Sequence, residues 1–257
     1  MTNPLIKDYL KRLRLSMMSK NYQELANEAA TNKASFEDYL CCLLELEIQS
    51  REARSRKQRL AEAKFPVTKT MDQFKFEEIP NLDKNLVLKL FKGQYLLDLE
   101  NIVFIGGQGT GKTHLAISLG IEACNNNKRV RYFSTADLIH QLLEARDEKQ
   151  LLKFQEQLLK YELLILDELG LNDSTRAYSE DGSRLLFQII SSRYERASTI
   201  ITTNLEFDEW TSVFGTQKLT VALLDRITHR CHIINANGES FRFKESMRRK
   251  KKSQDCS

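Results

Sequence analysis

The chain has 257 residues, of which 41% are hydrophobic, which suits one medium α/β domain of roughly 180 residues and a smaller appendage. Its 39 basic and 35 acidic residues give a formal net charge of +4, too small to identify a partner by itself. The amino terminus lacks the apolar core of a signal peptide, and no stretch approaches about 18 uninterrupted apolar residues. These features argue against secretion and membrane spanning, and they predict a cytoplasmic protein.

The cysteines support the same interpretation. No pair has the C-x-x-C spacing of a metal or redox site, so reduced thiols are expected. The five positions are Cys41, Cys42, Cys124, Cys231 and Cys256.

Residues 1–65 are predicted to form a small all-helical domain of three helices. Ser35 stands before Phe36, Glu37 and Asp38, as expected of an N-cap followed by acids in the first turn. The third helix becomes basic after Gln49, where Arg51, Arg54, Arg56, Lys57 and Arg59 face one acid, Glu52. Such a cluster is typical of contact with a phosphate backbone, and a solvated helix face is the alternative. We therefore regard Arg54, Arg56 and Lys57 as candidate DNA contacts.

Pro66 begins a predicted linker over residues 66–75, and the pattern then changes to alternating strands and helices. Alternation of this kind indicates a parallel sheet flanked by helices, here over residues 76–245. The predicted strands are 102–106, 130–134, 163–167, 198–203 and 231–234. The predicted helices are 112–126, 135–160 with a break, 179–197 and 219–229. A basic tail, 246–257, contains five consecutive basic residues from Arg248 to Lys252 and is predicted to be disordered.

The most informative segment follows the first of these strands. Residues 106–113 read GGQGTGKT and satisfy the phosphate-loop pattern G-x-x-x-x-G-K-[ST] between an apolar strand and a helix. Glycines let the backbone curl so that N–H groups and the helix N-terminus point at one phosphate cluster. Lys112 is expected to reach the β- and γ-phosphates and Thr113 to hold Mg²⁺. The predicted nucleotide ligands are Gly106, Gly107, Gln108, Gly109, Thr110, Gly111, Lys112 and Thr113.

Two acids end the strand that begins near Leu163. Because ligands of parallel sheets bind at the carboxyl ends of strands, Asp167 and Glu168 should emerge beside the phosphates. Asp167 is predicted to hold Mg²⁺, and Glu168 to accept a proton from the attacking water or to polarise it. Solvated loop charges are the alternative interpretation.

Two further residues complete the predicted catalytic set. Asn204 ends the strand 198–203 and is placed to sense the γ-phosphate and orient water, although an ordinary turn residue explains it too. Arg226 lies on an otherwise apolar helix and is a candidate arginine finger from a neighbouring subunit. An ordinary ion pair of Arg226 with Asp225 or another acid is the alternative.

The order and spacing of these motifs resemble the AAA+ ATPases, in the branch of bacterial initiators and helicase loaders. Blocks at 104–119, 163–171, 191–204 and 223–234, together with residues 237–243, resemble IstB, the ATP-binding helper family encoded by insertion sequences. The resemblance implies a P-loop core without a C-terminal helical lid. It also implies an oligomer with ATP sites between subunits, MgATP as cofactor, and nucleoid association when DNA is bound.

The same resemblance implies the function. It implies an ATPase that binds duplex DNA, assembles on it with ATP, remodels it, and recruits or stimulates a transposase. In the initiator branch an extra helix after the second strand contacts nucleic acid, which makes Arg146, Lys149 and Lys153 candidate DNA contacts. Contacts to phosphates and not to base edges predict weak sequence preference, and solvated helix charges are the alternative for each residue. A replicative helicase loader of the DnaC type remains the alternative, and a small-molecule kinase or GTPase is the third.

Overall fold

The computed structural model describes residues 4–170, 178–238 and 240. The described chain forms two compact units, one ending at Gln58 and one beginning at Arg59. The predicted domain boundary at residue 65 and the linker 66–75 stay predictions. The basic tail 246–257, with Arg248 to Lys252 and Cys256, lies outside the described residues, as do residues 171–177 and Glu239. None of the helices in the described part of the chain combines the length and the hydropathy of a membrane span.

The first unit is helical, as predicted. It comprises α1 (Pro4–Arg12), α2 (Ser16–Asn32) and most of α3 (Phe36–Ala63). The Asp38 N–H donates to the Ser35 hydroxyl, and the Ser35 N–H donates to the Asp38 carboxylate, so the predicted N-cap of α3 is confirmed. Glu47 is buried and accepts hydrogen bonds from the N–H groups of Met17 and Met18, which satisfies donors at the start of α2.

The second unit begins with the last turn of α3. Within this unit, the Arg59 Nε donates to the carbonyl of Cys124 at 2.9 Å, and Leu60, Ala63 and Phe65 pack into the core. Two short helices follow, α4 (Lys84–Leu90) and α5 (Gln94–Leu97), in a stretch for which sequence analysis assigned no element.

Five parallel strands form the sheet, in the order β2-β3-β4-β1-β5. All five predicted strands are confirmed, with bounds β1 (Asn101–Ile105), β2 (Val130–Ser134), β3 (Leu163–Leu169), β4 (Ser198–Thr203) and β5 (Cys231–Asn235). The intervening helices are α6 (Lys112–Asn125), α7 (Thr135–Asp147), α8 (Leu151–Leu159), α9 (Glu180–Arg193), α10 (Thr211–Phe214) and α11 (Gln217–Thr228). The predicted break within 135–160 falls at Lys149, whose φ of 58° is left-handed.

The two faces of the sheet bury separate cores because successive side chains of a strand point to opposite faces. One face packs Ile102 and Phe104 against α4, α5 and α6, and the other packs Val103 and Ile105 against α7 to α11. The sheet is therefore covered on both faces, as its nearly continuous apolar strands predict. This is the P-loop fold expected from the sequence, and it sets the carboxyl ends of all five strands along one edge.

Candidate nucleotide-binding site

The phosphate loop connects β1 to α6 at the carboxyl edge of the sheet. Gly106 has a φ of 149°, and a Cβ added there would lie 2.3 Å from the carbonyl oxygen of Ala236. Gly111 has a φ of 87° and caps α6, and its Cβ would lie 2.7 Å from the ring of Phe74. Side chains at either position would force neighbouring atoms apart, so glycine is required. The loop thus presents backbone rather than side chains around the first turn of α6.

Lys112 is buried at the start of α6 and its ammonium group is held in place. Its Nζ donates to the carbonyls of Gly106 at 2.7 Å and Gly107 at 2.6 Å, and to Oδ1 of Asn204 at 2.7 Å. The sequence placed Lys112 and Asn204 in one site, and the structure brings them into direct contact. Asn204 directly follows β4, and its side chain links the end of that strand to the phosphate loop.

Asp167 is buried near the carboxyl end of β3, where hydroxyl groups surround its carboxylate. The Thr113 hydroxyl donates to Oδ1 at 2.9 Å, and the Thr202 hydroxyl donates to the same oxygen at 2.5 Å. The Tyr132 hydroxyl donates to Oδ2 at 2.6 Å. Burial and the neighbouring Asp167 charge raise the pKa of Tyr132, so this phenol stays a hydrogen-bond donor at neutral pH. The two predicted Mg²⁺ ligands, Thr113 and Asp167, are therefore adjacent.

Glu168 differs from its neighbour in both exposure and backbone conformation. Its side chain is exposed, whereas Asp167 is 2% exposed, and its φ of 62° lies in the left-handed region that residues other than glycine seldom occupy. Its N–H donates to the hydroxyl of Thr202 at 2.9 Å. The two adjacent acids thus have distinct settings, one fixed and enclosed and one open to solvent.

Aromatic side chains adjoin the loop on the side of α6. Phe74 packs edge-to-face against Phe76 and against His114, with ring centroids 5.0 and 5.3 Å apart. The Nε2 of His114 lies 2.8 Å from the carbonyl oxygen of Thr70, and burial lowers the pKa of His114. Phe74 therefore lies beside Gly111, where it is positioned to contribute an apolar wall near the phosphate loop.

Arg226 lies away from this cluster, towards the amino edge of the sheet. The next residue, Ile227, accepts a hydrogen bond from the side chain of Asn101, which is the first residue of β1. Because β1 has five residues, it separates this end from the phosphate loop by about 16 Å at 3.3 Å per residue. The Arg226 side chain is exposed, with Cζ 5.6 Å from the ring centroid of Phe187. Among the residues that the structure describes, Arg226 forms no ion pair.

The candidate DNA contacts also lie outside the cluster. Arg146 bonds to the carboxylates of Asp147 at 3.0 Å and Asp181 at 2.7 Å. Lys149 and Lys153 are exposed at the α7–α8 junction and on α8. In the first unit, Arg54, Arg56 and Lys57 are exposed on α3.

Sequence analysis missed three hydroxyl residues of the site. Tyr132 and Thr202 bond to the carboxylate of Asp167, and the Thr135 hydroxyl donates to its carbonyl oxygen at 2.9 Å. The available signal was positional, since Tyr132 and Thr135 lie at or near the end of β2 and Thr202 near the end of β4. Hydroxyl residues are common near strand ends, so only the strand order reveals that these three reach one acid.

Comparison with known proteins agrees with the fold and the motifs. The family model of the IstB-like ATP binding protein matches residues 8–250. The chain is 36% identical to "Insertion sequence IS5376 putative ATP-binding protein" of Geobacillus stearothermophilus, over 97% of this chain and 98% of that one. It is also 36% identical to "Insertion sequence IS21 putative ATP-binding protein" of Pseudomonas aeruginosa, over 92% and 88%.

A solved structure supports the architecture. AMPPCP-bound DnaA from Aquifex aeolicus is similar with a TM-score of 0.56 and 21% identity, over 73% of this chain and 56% of that one. At this identity the likeness concerns the fold alone. Since the family model spans both the amino-terminal helices and the nucleotide-binding core, the chain belongs to the IstB-like ATP-binding protein family.

Proposed function

We propose that this protein is a DNA-dependent ATPase that serves insertion-sequence transposition. It assembles on duplex DNA with ATP, remodels the DNA, and recruits or stimulates a partner transposase. The observation that carries the proposal is the cluster at the carboxyl edge, where Lys112 contacts Asn204 and Thr113 contacts Asp167. The insertion-sequence relatives supply the biological setting.

The residues at this edge fit a nucleotide triphosphate with Mg²⁺. The loop has no space for side chains at Gly106 and Gly111. In a loop of this kind, the N–H groups after Gly106 and the helix N-terminus would bind an anion. Lys112 offers the cation for the β- and γ-phosphates, and Thr113 and Asp167 offer the oxygens that Mg²⁺ prefers. Bound MgATP would supply the phosphoanhydride bond whose cleavage drives the conformational cycle.

Each residue then has a separate task. Lys112 neutralises phosphate charge, and Asn204, which already bonds to Lys112, orients a water molecule with its amide. Glu168 is exposed beside the enclosed Asp167, so its carboxylate can contact that water molecule and accept its proton. No residue in this list supplies a second cation to the γ-phosphate, which is the role proposed for Arg226.

Arg226 is assigned to the active site of a neighbouring copy. It lies beside the amino end of β1, whereas the phosphate loop of the same chain follows the carboxyl end of that strand. An exposed guanidinium without an ion pair among the described residues is available to a second protein. Hydrolysis therefore depends on assembly, and the ATP sites lie between subunits of a homo-oligomer.

DNA contact is assigned to exposed basic side chains. Lys149 and Lys153 on the α7–α8 element are the main candidates in the ATPase unit, and Arg54, Arg56 and Lys57 are those of the helical unit. Contacts of lysine and arginine with phosphates carry little sequence information and weaken steeply with salt. The binding is therefore expected to be largely independent of sequence.

Steady-state ATP hydrolysis, with and without duplex DNA at moderate salt, tests the proposal. Stimulation by duplex DNA supports a transposition helper. A rate of ATP hydrolysis that does not change with DNA but rises with a replicative helicase favours the loader of the DnaC type. A protein that neither binds nor hydrolyses ATP would overturn both functions.

A further inference from the structure

β3 carries one extra residue where its two acids lie. Leu166 pairs with Ile201 and Leu169 with Thr203, so β3 advances three residues while β4 advances two. This is a β-bulge, and Glu168 within it has a φ of 62°. A non-glycine residue keeps such a conformation only when its surroundings fix it. The residues of β4, which pairs with β3 at the bulge, are positioned to fix Glu168.

Thr202 lies on β4 opposite the bulge, between the paired residues Ile201 and Thr203. Its hydroxyl accepts a hydrogen bond from the N–H of Glu168 at 2.9 Å and donates its proton to Oδ1 of Asp167 at 2.5 Å. Thr202 is 1% exposed, so no bulk water competes for these bonds. A hydroxyl has one proton to donate, and here it is directed at the carboxylate, while a lone pair takes the Glu168 N–H.

Among the described residues, no other side chain bonds to both acids. Thr113 and Tyr132 also donate to the Asp167 carboxylate, but within the described part of the chain neither hydroxyl bonds to Glu168. Of the residues that the structure describes, Thr202 is thus the one that joins the side chain of one acid to the backbone of the next. If the hydroxyl is lost, Asp167 loses a donor and the left-handed backbone of Glu168 loses its acceptor at the same time.

We propose that Thr202 is a positioning residue that holds Asp167 and the bulged backbone of Glu168 in one fixed arrangement, so that metal ligand and general base act together. The inference rests on the proposed ATPase function. It assigns Thr202 no contact with the nucleotide, so it predicts a loss in turnover and metal binding with nucleotide affinity retained.

Thr202→Val removes the hydroxyl at nearly constant volume. Its kcat for ATP is expected to fall by about 10- to 100-fold, the usual range for residues that orient metal ligands, with KM within about threefold. The affinity of the nucleotide-loaded protein for Mn²⁺, followed by electron paramagnetic resonance, should fall in the same range. Thr202→Ser keeps the hydroxyl and should restore both quantities to within about threefold of the unchanged protein.

Thr199→Val is the matched control. Thr199 lies on the same strand, is 2% exposed, and accepts a hydrogen bond from Arg193, away from the acids. It should lower the melting temperature without changing kcat or Mn²⁺ affinity. Equal kcat and Mn²⁺ affinity in Thr202→Val and Thr199→Val would overturn the proposal.

Thr202→Ala and Thr202→Ser provide the test if the valine variant does not fold, because they differ by one hydroxyl. Equal kcat and Mn²⁺ affinity in these two would overturn the inference.

Failure of the ATPase function is recognised separately, in the unchanged protein. If that protein binds Mn²⁺ and nucleotide without turnover, the Mn²⁺ comparison still decides the role of Thr202. If it binds no nucleotide, function and inference are both rejected.

Discussion

The two edges of the parallel sheet differ in how their charged side chains are held. At the carboxyl edge, Lys112 and Asp167 are buried and each makes at least three hydrogen bonds. Towards the amino edge, Arg226 is exposed and contacts the ring of Phe187. Groups of the first kind are fixed before a ligand arrives, and groups of the second kind are open to another molecule. In the proposed assembly, the first kind belongs to a preorganised site of one copy, and the second kind completes the site of the next copy.

The largest effect is expected from Lys112→Ala at the carboxyl edge. It removes the cation opposite the phosphates and leaves Oδ1 of Asn204 without its donor. Affinity for a fluorescent ATP analogue should fall at least about 100-fold, which is about 2.8 kcal/mol at 1.4 kcal/mol per tenfold change. Lys128→Ala, near the amino end of β2, is the control and should bind normally. Tight ATP binding by Lys112→Ala would contradict the site.

Arg226→Ala tests the other edge. Nucleotide affinity should be kept, and turnover should fall by about 1000-fold if the guanidinium stabilises the transition state. Arg230→Ala, which changes a nearby exposed arginine, should have little effect.

Mixing Arg226→Ala with Glu168→Gln then tests whether Arg226 acts on the active site of a neighbouring subunit. A mixed assembly can place an intact Arg226 from one variant against an intact Glu168 of the other, so activity should reappear. No recovery over a range of mixing ratios would place Arg226 outside the active site of the neighbour.

Glu168→Gln removes the proposed base while keeping the shape of the side chain. Turnover should drop by about 100-fold or more, with ATP still bound and the ATP-state assembly held on DNA. Glu162→Gln, at the amino end of the same strand, is the control. Turnover equal to that of the unchanged protein would reject Glu168 as the base.

Smaller effects are expected from the exposed lysines of the α7–α8 element. Lys149→Ala and Lys153→Ala should each weaken duplex DNA binding at all sequences and reduce the salt slope of log K by about 1. Fluorescence anisotropy at several salt concentrations measures both quantities, with Lys160→Ala as the control. An unchanged salt slope in both variants would show that α8 is not part of the DNA-binding surface of the protein.

The smallest effect is expected from Arg146→Ala. The guanidinium of Arg146 already bonds to Asp147 and Asp181, so less of its charge is available to a phosphate. Its salt slope should change less than that of Lys149→Ala in the same anisotropy experiment. A larger change would mean that Arg146 exchanges its acidic partners for DNA.

The fold was largely predictable because its signals are local. Apolar runs indicated all five strands, and the phosphate-loop motif located the start of α6 at Lys112. Phe74 shows the limit, since its ring lies against Gly111 and no local pattern around Phe74 indicates that contact. That contact joins positions far apart in the sequence, and local patterns do not specify such pairs.

The sequence by itself determined the chemistry of the site: which residues are cations, acids and amides, and that Gly106, Asp167 and Asn204 lie near strand ends. Only the tertiary structure decided which of them meet. The strand order places β4 between β3 and β1, so Thr202 reaches Asp167 while Asn204 reaches Lys112. The same order leaves Arg226 beside the opposite edge. Side-chain chemistry belongs to each residue separately, whereas these distances arise from packing five strands with both faces buried, which is a property of the whole chain.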